Sequence, residues 1–254
     1  MKEIYRLFLA SKNYSSKYKK YFEIYEDLFK RFKDKDITFV EIGIQNGGSL
    51  EIWKKYFGKN SRIIGIDFNS ECKKFEKDNI IVEIGSQSDP EFWNNFFLKY
   101  GFVDIILDDG GHTNHQQITT VINCIKNIKN NGLLITEDTH SSYMRQFDNP
   151  SKYSFINFTK KSIDDINYKF PDIGYYKSSI NNFVYSIEFF ESIVAFKVNR
   201  ERCEINTKLH NSGITSNIKD MRFGEYTSSN IFFFRIKKII KEMIRYLELA
   251  KYFK

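Results

Sequence analysis

The chain has 254 residues, enough for one large domain, and 41% apolar with 17% aromatic residues exclude a disordered polymer. Formal net charge is +7, but residues 231–254 hold seven Lys/Arg against Glu242 and Glu248, so most of the excess sits in the tail and the body is nearly balanced. That balance argues against a nucleic-acid binder. The three cysteines, Cys72, Cys124 and Cys203, have no CxxC spacing, which argues against a disulfide framework or zinc knuckle and fits a cytoplasmic location.

The first twenty residues carry an apolar run broken by Arg6 and flanked by lysines, too short and too charged for a good signal peptide. No stretch approaches 18 consecutive apolar residues, so no membrane span is expected. Residues 14–33 place apolar groups at spacings of three and four and predict an amphipathic helix. Strand 37–43, helix 49–57, strand 62–68 and strand 79–85 follow. Then come a helix over 89–100 with Asp89 as N-cap and Pro90 in its first turn, and a strand over 103–109. Residues 115–131 read as a helix ended by Gly132, and 133–138 as a fifth strand. Residues 141–181 look irregular, with Pro150 and Pro171. Residues 183–199 read as two strands meeting near Glu188–Glu191. The segment from 231 onward reads as a helix with an apolar stripe and a basic opposite face.

Strands alternate with helices, and the strands are apolar runs, as expected when both faces are covered. The expected fold is α/β: a doubly wound, mostly parallel, Rossmann-like sheet with an antiparallel edge and helical additions at both ends, forming one domain over 1–254. Ligands of such sheets sit at the carboxyl ends of the strands, and the unusual polar residues of this chain lie there.

The first strand runs into "VEIGIQNGGSLEIW", a turn rich in glycine that brings Glu41, Gly43, Gln45, Asn46, Gly47 and Ser49 together. Asp67 ends the second strand, where an acid commonly accepts hydrogen bonds from a ribose. This much permits NAD or S-adenosylmethionine. The absence of a GxGxxG pattern and the acid Glu41 before the turn favour the sulfonium cofactor, since a pyrophosphate would be repelled there.

At the other strand ends, "LDDGGHTNHQQ" supplies Asp108, Asp109 and His112, and "LLITED" supplies Glu137 and Asp138. Clustered carboxylates repel unless a cation neutralises them. A hard oxygen-binding ion, Mg²⁺ or Mn²⁺, held by Asp109, Glu137 and Asp138 is the economical answer. Three of the four histidines, His112, His115 and His140, fall in these two segments, and His112 is placed to act as a general base. Plainer roles exist for each: the acid pairs as helix caps or solvated strand ends, His115 as a polar residue of a first helical turn, His210 as a surface residue.

"FVEIGIQNGGSLEIWKKYF", "IIGIDFN", "GSQSD", "DDGGHTNHQQI", "ITEDTHSSY" and "SIEFFESIVAF" together resemble the metal-dependent sugar O-methyltransferases of the macrocin/mycinamicin type, which are class I S-adenosylmethionine enzymes. The resemblance covers roughly residues 14–199. It implies that Asp109, Glu137 and Asp138 bind Mg²⁺, that His112 is the base, and that the glycine loop, Asp67 and Asp108 hold the cofactor. It also implies that Ser86 and Gln87 face the adenine and that Ser16 and Lys17 belong to an element closing over the cofactor, with Tyr21 and Tyr25 behind it. The chain departs from the pattern at Ser86, where the family has an acid, and at Gly111, where it has serine.

The resulting expectation is methyl transfer to a hydroxyl of a sugar or sugar nucleotide, with His115, His140 and Tyr143 toward the acceptor. Capsule or surface-polysaccharide synthesis, or secondary metabolism, is the expected setting. A phosphate- or phosphoramidate-linked acceptor, a nicotinamide-dependent oxidoreductase and a scaffold are the alternatives. A homodimer is expected, as is peripheral membrane contact through the 231–254 helix.

Overall fold

The computed structural model of the chain describes residues 2–77, 79–147, 152–170, 180–214, 216, 218, 236, 239, 240, 243, 244, 246 and 250. The chain groups into two compact units, Met1–Thr207 and Lys208–Lys254. In the second unit, residues 236, 239, 240, 243, 244, 246 and 250 are helical. The rest of the expected 231–254 helix, and Pro150 and Pro171, lie outside the described residues.

The first unit is built on a seven-stranded sheet. Its strands are β1 (Thr38–Ile42), β2 (Arg62–Asp67), β3 (Ile80–Ile84), β4 (Val103–Asp108), β5 (Ile128–Thr136), β6 (Val184–Phe190) and β7 (Ile193–Val198). They lie in the order β3-β2-β1-β4-β5-β7-β6. The first five are parallel, and the β6–β7 hairpin closes the edge in antiparallel pairing. Strand order reverses between β1 and β4, the switch point where such sheets open a crevice.

Neighbouring residues of each central strand point to opposite layers. Phe39, Ile63, Ile105 and Leu133 enter one core with α1 (Glu3–Leu9), α2 (Tyr21–Phe29) and α3 (Gly48–Phe57). Val40, Ile64, Ile106 and Leu134 enter the other, beside α4 (Pro90–Tyr100), α5 (Asn114–Cys124) and α6 (Phe155–Asn167). Two-sided burial is why these strands read as unbroken apolar runs. Asp89 caps α4 by accepting from Glu91 N at 2.9 Å, with Pro90 next, as the sequence suggests.

Three expectations need correction. The N-terminal helix starts at Tyr21, because Tyr14 and Tyr18 stay exposed and residues 14–18 run without helical structure, carrying Lys17 inward. An additional helix, α1, precedes them. Gly132 ends no helix: α5 stops at Cys124, a 3-10 turn follows, and Gly132 lies inside β5. It sits at an irregularity of the β4–β5 ladder, where a Cβ would come within 2.4 Å of the Asp104 carbonyl oxygen. The stretch expected to be irregular contains α6, capped by Ser154, whose Oγ accepts from Asn157 N. Its buried face is Phe155, Thr159, Ser162 and Asp165, a helical period written mostly in polar residues. Among the described residues no helix is long and apolar enough to cross a membrane.

Candidate active site

A cleft of about 640 Å³ opens at the carboxyl ends of β1, β2, β3 and β4, within the usual range for a small-molecule site. One end is the glycine turn. Gly43 (φ 84°) and Gln45 (φ 41°) are left-handed. A Cβ on Gly43 would lie 2.1 Å from the Asp109 carbonyl oxygen, so only glycine lets β1 and β4 exit side by side. Asp67 fixes this turn: its Oδ2 accepts from Ile44 N and Gln45 N, each at 3.0 Å, and Oδ1 accepts from Asn69 N at 2.9 Å. Of the residues that the resemblance assigns to the cofactor, Ser16, Gly43, Gln45, Asn46, Asp67, Ser86 and Gln87 line the cleft.

Glu41, Gly47, Ser49 and Asp108 were expected there too but do not line it; each serves the scaffold. Glu41 is fully buried and accepts from Ser49 Oγ at 2.6 Å. Burial raises its pKa to about 7, against the opposing pull of Lys17 and Ser49. Gly47 leaves room for the Phe75 ring, which a Cβ would meet at 2.6 Å. Asp108 is buried and accepts from Gln87 Nε2 at 2.9 Å; its pKa is raised by burial. The Gln87 carboxamide also donates to Thr120 Oγ1 (3.1 Å) and accepts from Gly111 N (2.9 Å), stapling the end of β3 to the turn after β4.

The other end of the cleft holds the acids. Asp109, His112 and Asp138 line it, and each offers an atom within 4.8 Å of the others, a spacing that fits one metal ion. His112 Nε2 stands 3.5 Å from Asp138 Oδ2 and 3.9 Å from Asp109 Oδ1, while its buried Nδ1 has no hydrogen-bond partner. His112 (φ 58°) and Asp138 (φ 52°) are both left-handed, a conformation unfavourable for side-chain-bearing residues and concentrated at functional sites.

Glu137 is buried behind them and outside the cleft lining. Burial raises its pKa, and the Asp109 charge adds to this against Lys17 and Tyr25. Tyr25 Oη donates to Glu137 Oε1 at 2.5 Å, and Tyr21 Oη donates to Asp138 Oδ1 at 2.5 Å. Lys17 is not turned to the cleft. Its ammonium is bound by Asp109, lies 2.9 Å from Glu137 Oε2, and is 3.8 Å from Glu41 Oε1. Burial alone would lower its pKa, but these three carboxylates outweigh burial and raise it.

The acceptor-side candidates separate. His115 is exposed on the first turn of α5 and does not line the cleft, because the capping box of Thr113 and Gln116 turns Asn114 and Gln117 inward instead. His140 contacts Ser192 Oγ and stacks edge-on against Tyr18. Tyr143 is exposed at the end of the same 3-10 turn, and neither it nor His140 lines the cleft. Sequence reasoning missed Phe68 and Phe75, which line the cofactor end; the position of Phe68, directly after Asp67, was the available signal.

No family model matches the chain. Over 159 residues it is 28% identical to the 8-demethyl-8-alpha-L-rhamnosyl tetracenomycin-C 2'-O-methyltransferase of Streptomyces olivaceus, covering 58% of this chain and 41% of that protein. It is 29% identical over 130 residues to the demethylmacrocin O-methyltransferase of Streptomyces fradiae, covering 48% and 32%. The matched region thus spans well under half the length of these relatives. The MycE methyltransferase of the mycinamycin pathway, solved with Mg, SAH and mycinamycin VI, superposes with a TM-score of 0.69 at 21% identity, covering 78% of this chain and 53% of that one. The likeness shows the fold, a Rossmann-like class I methyltransferase sheet.

Proposed function

We propose that this chain transfers a methyl group from S-adenosylmethionine to a hydroxyl of a sugar or sugar nucleotide, with a divalent cation, Mg²⁺ or Mn²⁺, at the acids. One observation carries this reading: a single cleft joins the glycine turn and Asp67 to the Asp109–His112–Asp138 cluster. The acids Asp67, Glu71, Asp109 and Asp138 line it against the single lysine Lys74, which suits a cationic sulfonium and disfavours a dinucleotide pyrophosphate. The names of the relatives, O-methyltransferases of a rhamnosyl tetracenomycin and of demethylmacrocin, support the reaction class. The Mg and SAH in the MycE complex support the pair of small ligands.

Asp109, Asp138 and the more deeply buried Glu137 would hold the cation; when bound, such an ion acidifies an acceptor hydroxyl and neutralises the carboxylates. Gln45, Asn46, Asp67 and Ser86 orient the cofactor. His112 accepts the hydroxyl proton at Nε2 as the oxygen takes the methyl carbon, and Asp138 stabilises the imidazolium that forms. Holding both reactants in line supplies much of the rate. The acceptor is a glycosyl hydroxyl, in a surface-polysaccharide precursor or a glycosylated secondary metabolite.

The test is a screen of glycosides and sugar nucleotides for production of S-adenosylhomocysteine with and without Mg²⁺. Product is expected only with the ion, and undiminished turnover in excess EDTA would remove the cation from the reaction. Calorimetric titration with S-adenosylhomocysteine and NADH separates the oxidoreductase alternative, since binding of NADH alone would overturn the proposal.

A further inference from the structure

The acids of the site are wired to one short stretch of chain. Lys17, Tyr21 and Tyr25 follow at intervals of four residues, and each binds an acid that lies more than ninety residues away. The tyrosines are neutral donors. Lys17 brings a full positive charge to the oxygens that would neutralise a divalent ion, namely Asp109 Oδ2 and Glu137 Oε2. Its side chain is 5% exposed and its ammonium lies 5.9 Å from the centre of the Tyr25 ring. One ammonium faces Asp109 and Glu137, with Asp138 held nearby by Tyr21. The surplus negative charge draws a second, stronger cation, and two cations so close repel each other.

We propose that Lys17 is a tethered competitor of the divalent cation: its ammonium occupies Asp109 and Glu137 and is displaced when a divalent ion takes those oxygens. This rests on the cation reading above and goes beyond it by assigning Lys17 a role in exchange. Lys17 is carried by non-helical backbone, so it can leave without unwinding a helix. The same stretch sits on the glycine turn. Ser11 Oγ donates to the Gly48 carbonyl oxygen at 3.1 Å, and a Cβ on Gly48 would come within 2.5 Å of the Asn13 carbonyl oxygen.

The experiment measures Mn²⁺ binding by the loss of the free-ion EPR signal in the wild-type chain, Lys17→Met and Lys17→Arg. Lys17→Met is expected to bind Mn²⁺ at least tenfold more tightly than wild type, and Lys17→Arg, which keeps the charge, within about threefold of it. In parallel, amine-reactive labelling of the wild type is read by mass spectrometry. Lys17 should be protected without Mn²⁺ and modified at saturating Mn²⁺; this arm decides if Lys17→Met does not fold. Equal or weaker Mn²⁺ affinity in Lys17→Met, or Lys17 protected equally in both conditions, overturns the inference. Equal binding by both proteins overturns it alone, whereas no binding by either removes the proposed cation as well.

Discussion

The two ends of the cleft are made in opposite ways. At the glycine turn the backbone does the shaping, and side chains such as Asp67 hold it in place through main-chain N–H groups. At the acid end the side chains do the shaping, and their donors come from one remote segment, Lys17 through Tyr25. A backbone-built end tolerates little change in conformation but much in nearby side chains. A side-chain-built end depends on each donor separately.

The largest effect should come from His112→Ala. Loss of a general base lowers turnover by about 10²–10⁴-fold, while affinity for S-adenosylhomocysteine stays within about twofold, because the cofactor end is built independently. A parallel loss of cofactor binding in calorimetry would erase the distinction between the ends. Gly43→Ala comes next. It puts a Cβ against the Asp109 carbonyl at a positive φ, and unfolding by denaturant should show a loss of about 2–4 kcal/mol. Both ends should suffer together, since that contact joins them.

Tyr25→Phe should cost about 1–3 kcal/mol, the price of leaving a buried carboxylate oxygen without its donor. It should also weaken Mn²⁺ binding about tenfold, as outer partners of metal ligands do, without altering S-adenosylhomocysteine affinity. The smallest effect is on pH dependence. Glu41 holds its proton up to about pH 7 in the folded chain and releases it near the ordinary carboxylate value when unfolded. The stability it contributes is therefore present at acid pH and is lost as pH rises from about 4.5 toward 7. Glu41→Gln should flatten thermal stability across that window and leave the variant about 1–3 kcal/mol more stable than wild type at pH 8.

The sheet was legible because β1, β2, β4 and β5 are buried on both faces and so cannot hide among polar residues. Gly43, Asp67, Asp109, His112 and Asp138 were legible because strand ends concentrate polar residues that no core needs. Helix α6 was not, since its buried face uses Thr159, Ser162 and Asp165, which carry no apolar period. The meeting of Lys17 with Asp109 and Glu137 was not legible, because a sequence shows which segments hold charge but not which distant charges meet. His115 shares a segment with His112, yet one helical start separates an inward ring from an outward one.

The staple formed by Gln87 has a practical consequence for inhibitor chemistry. Its two amide hydrogens are committed to Asp108 and Thr120, and its oxygen already serves Gly111, so a heterocycle entering the cleft gains no donor from this residue. Selective compounds should instead be grown toward the Ser86 hydroxyl and the solvent-facing ring of Phe68, which offer a polar handle and a flat apolar shelf on the same rim.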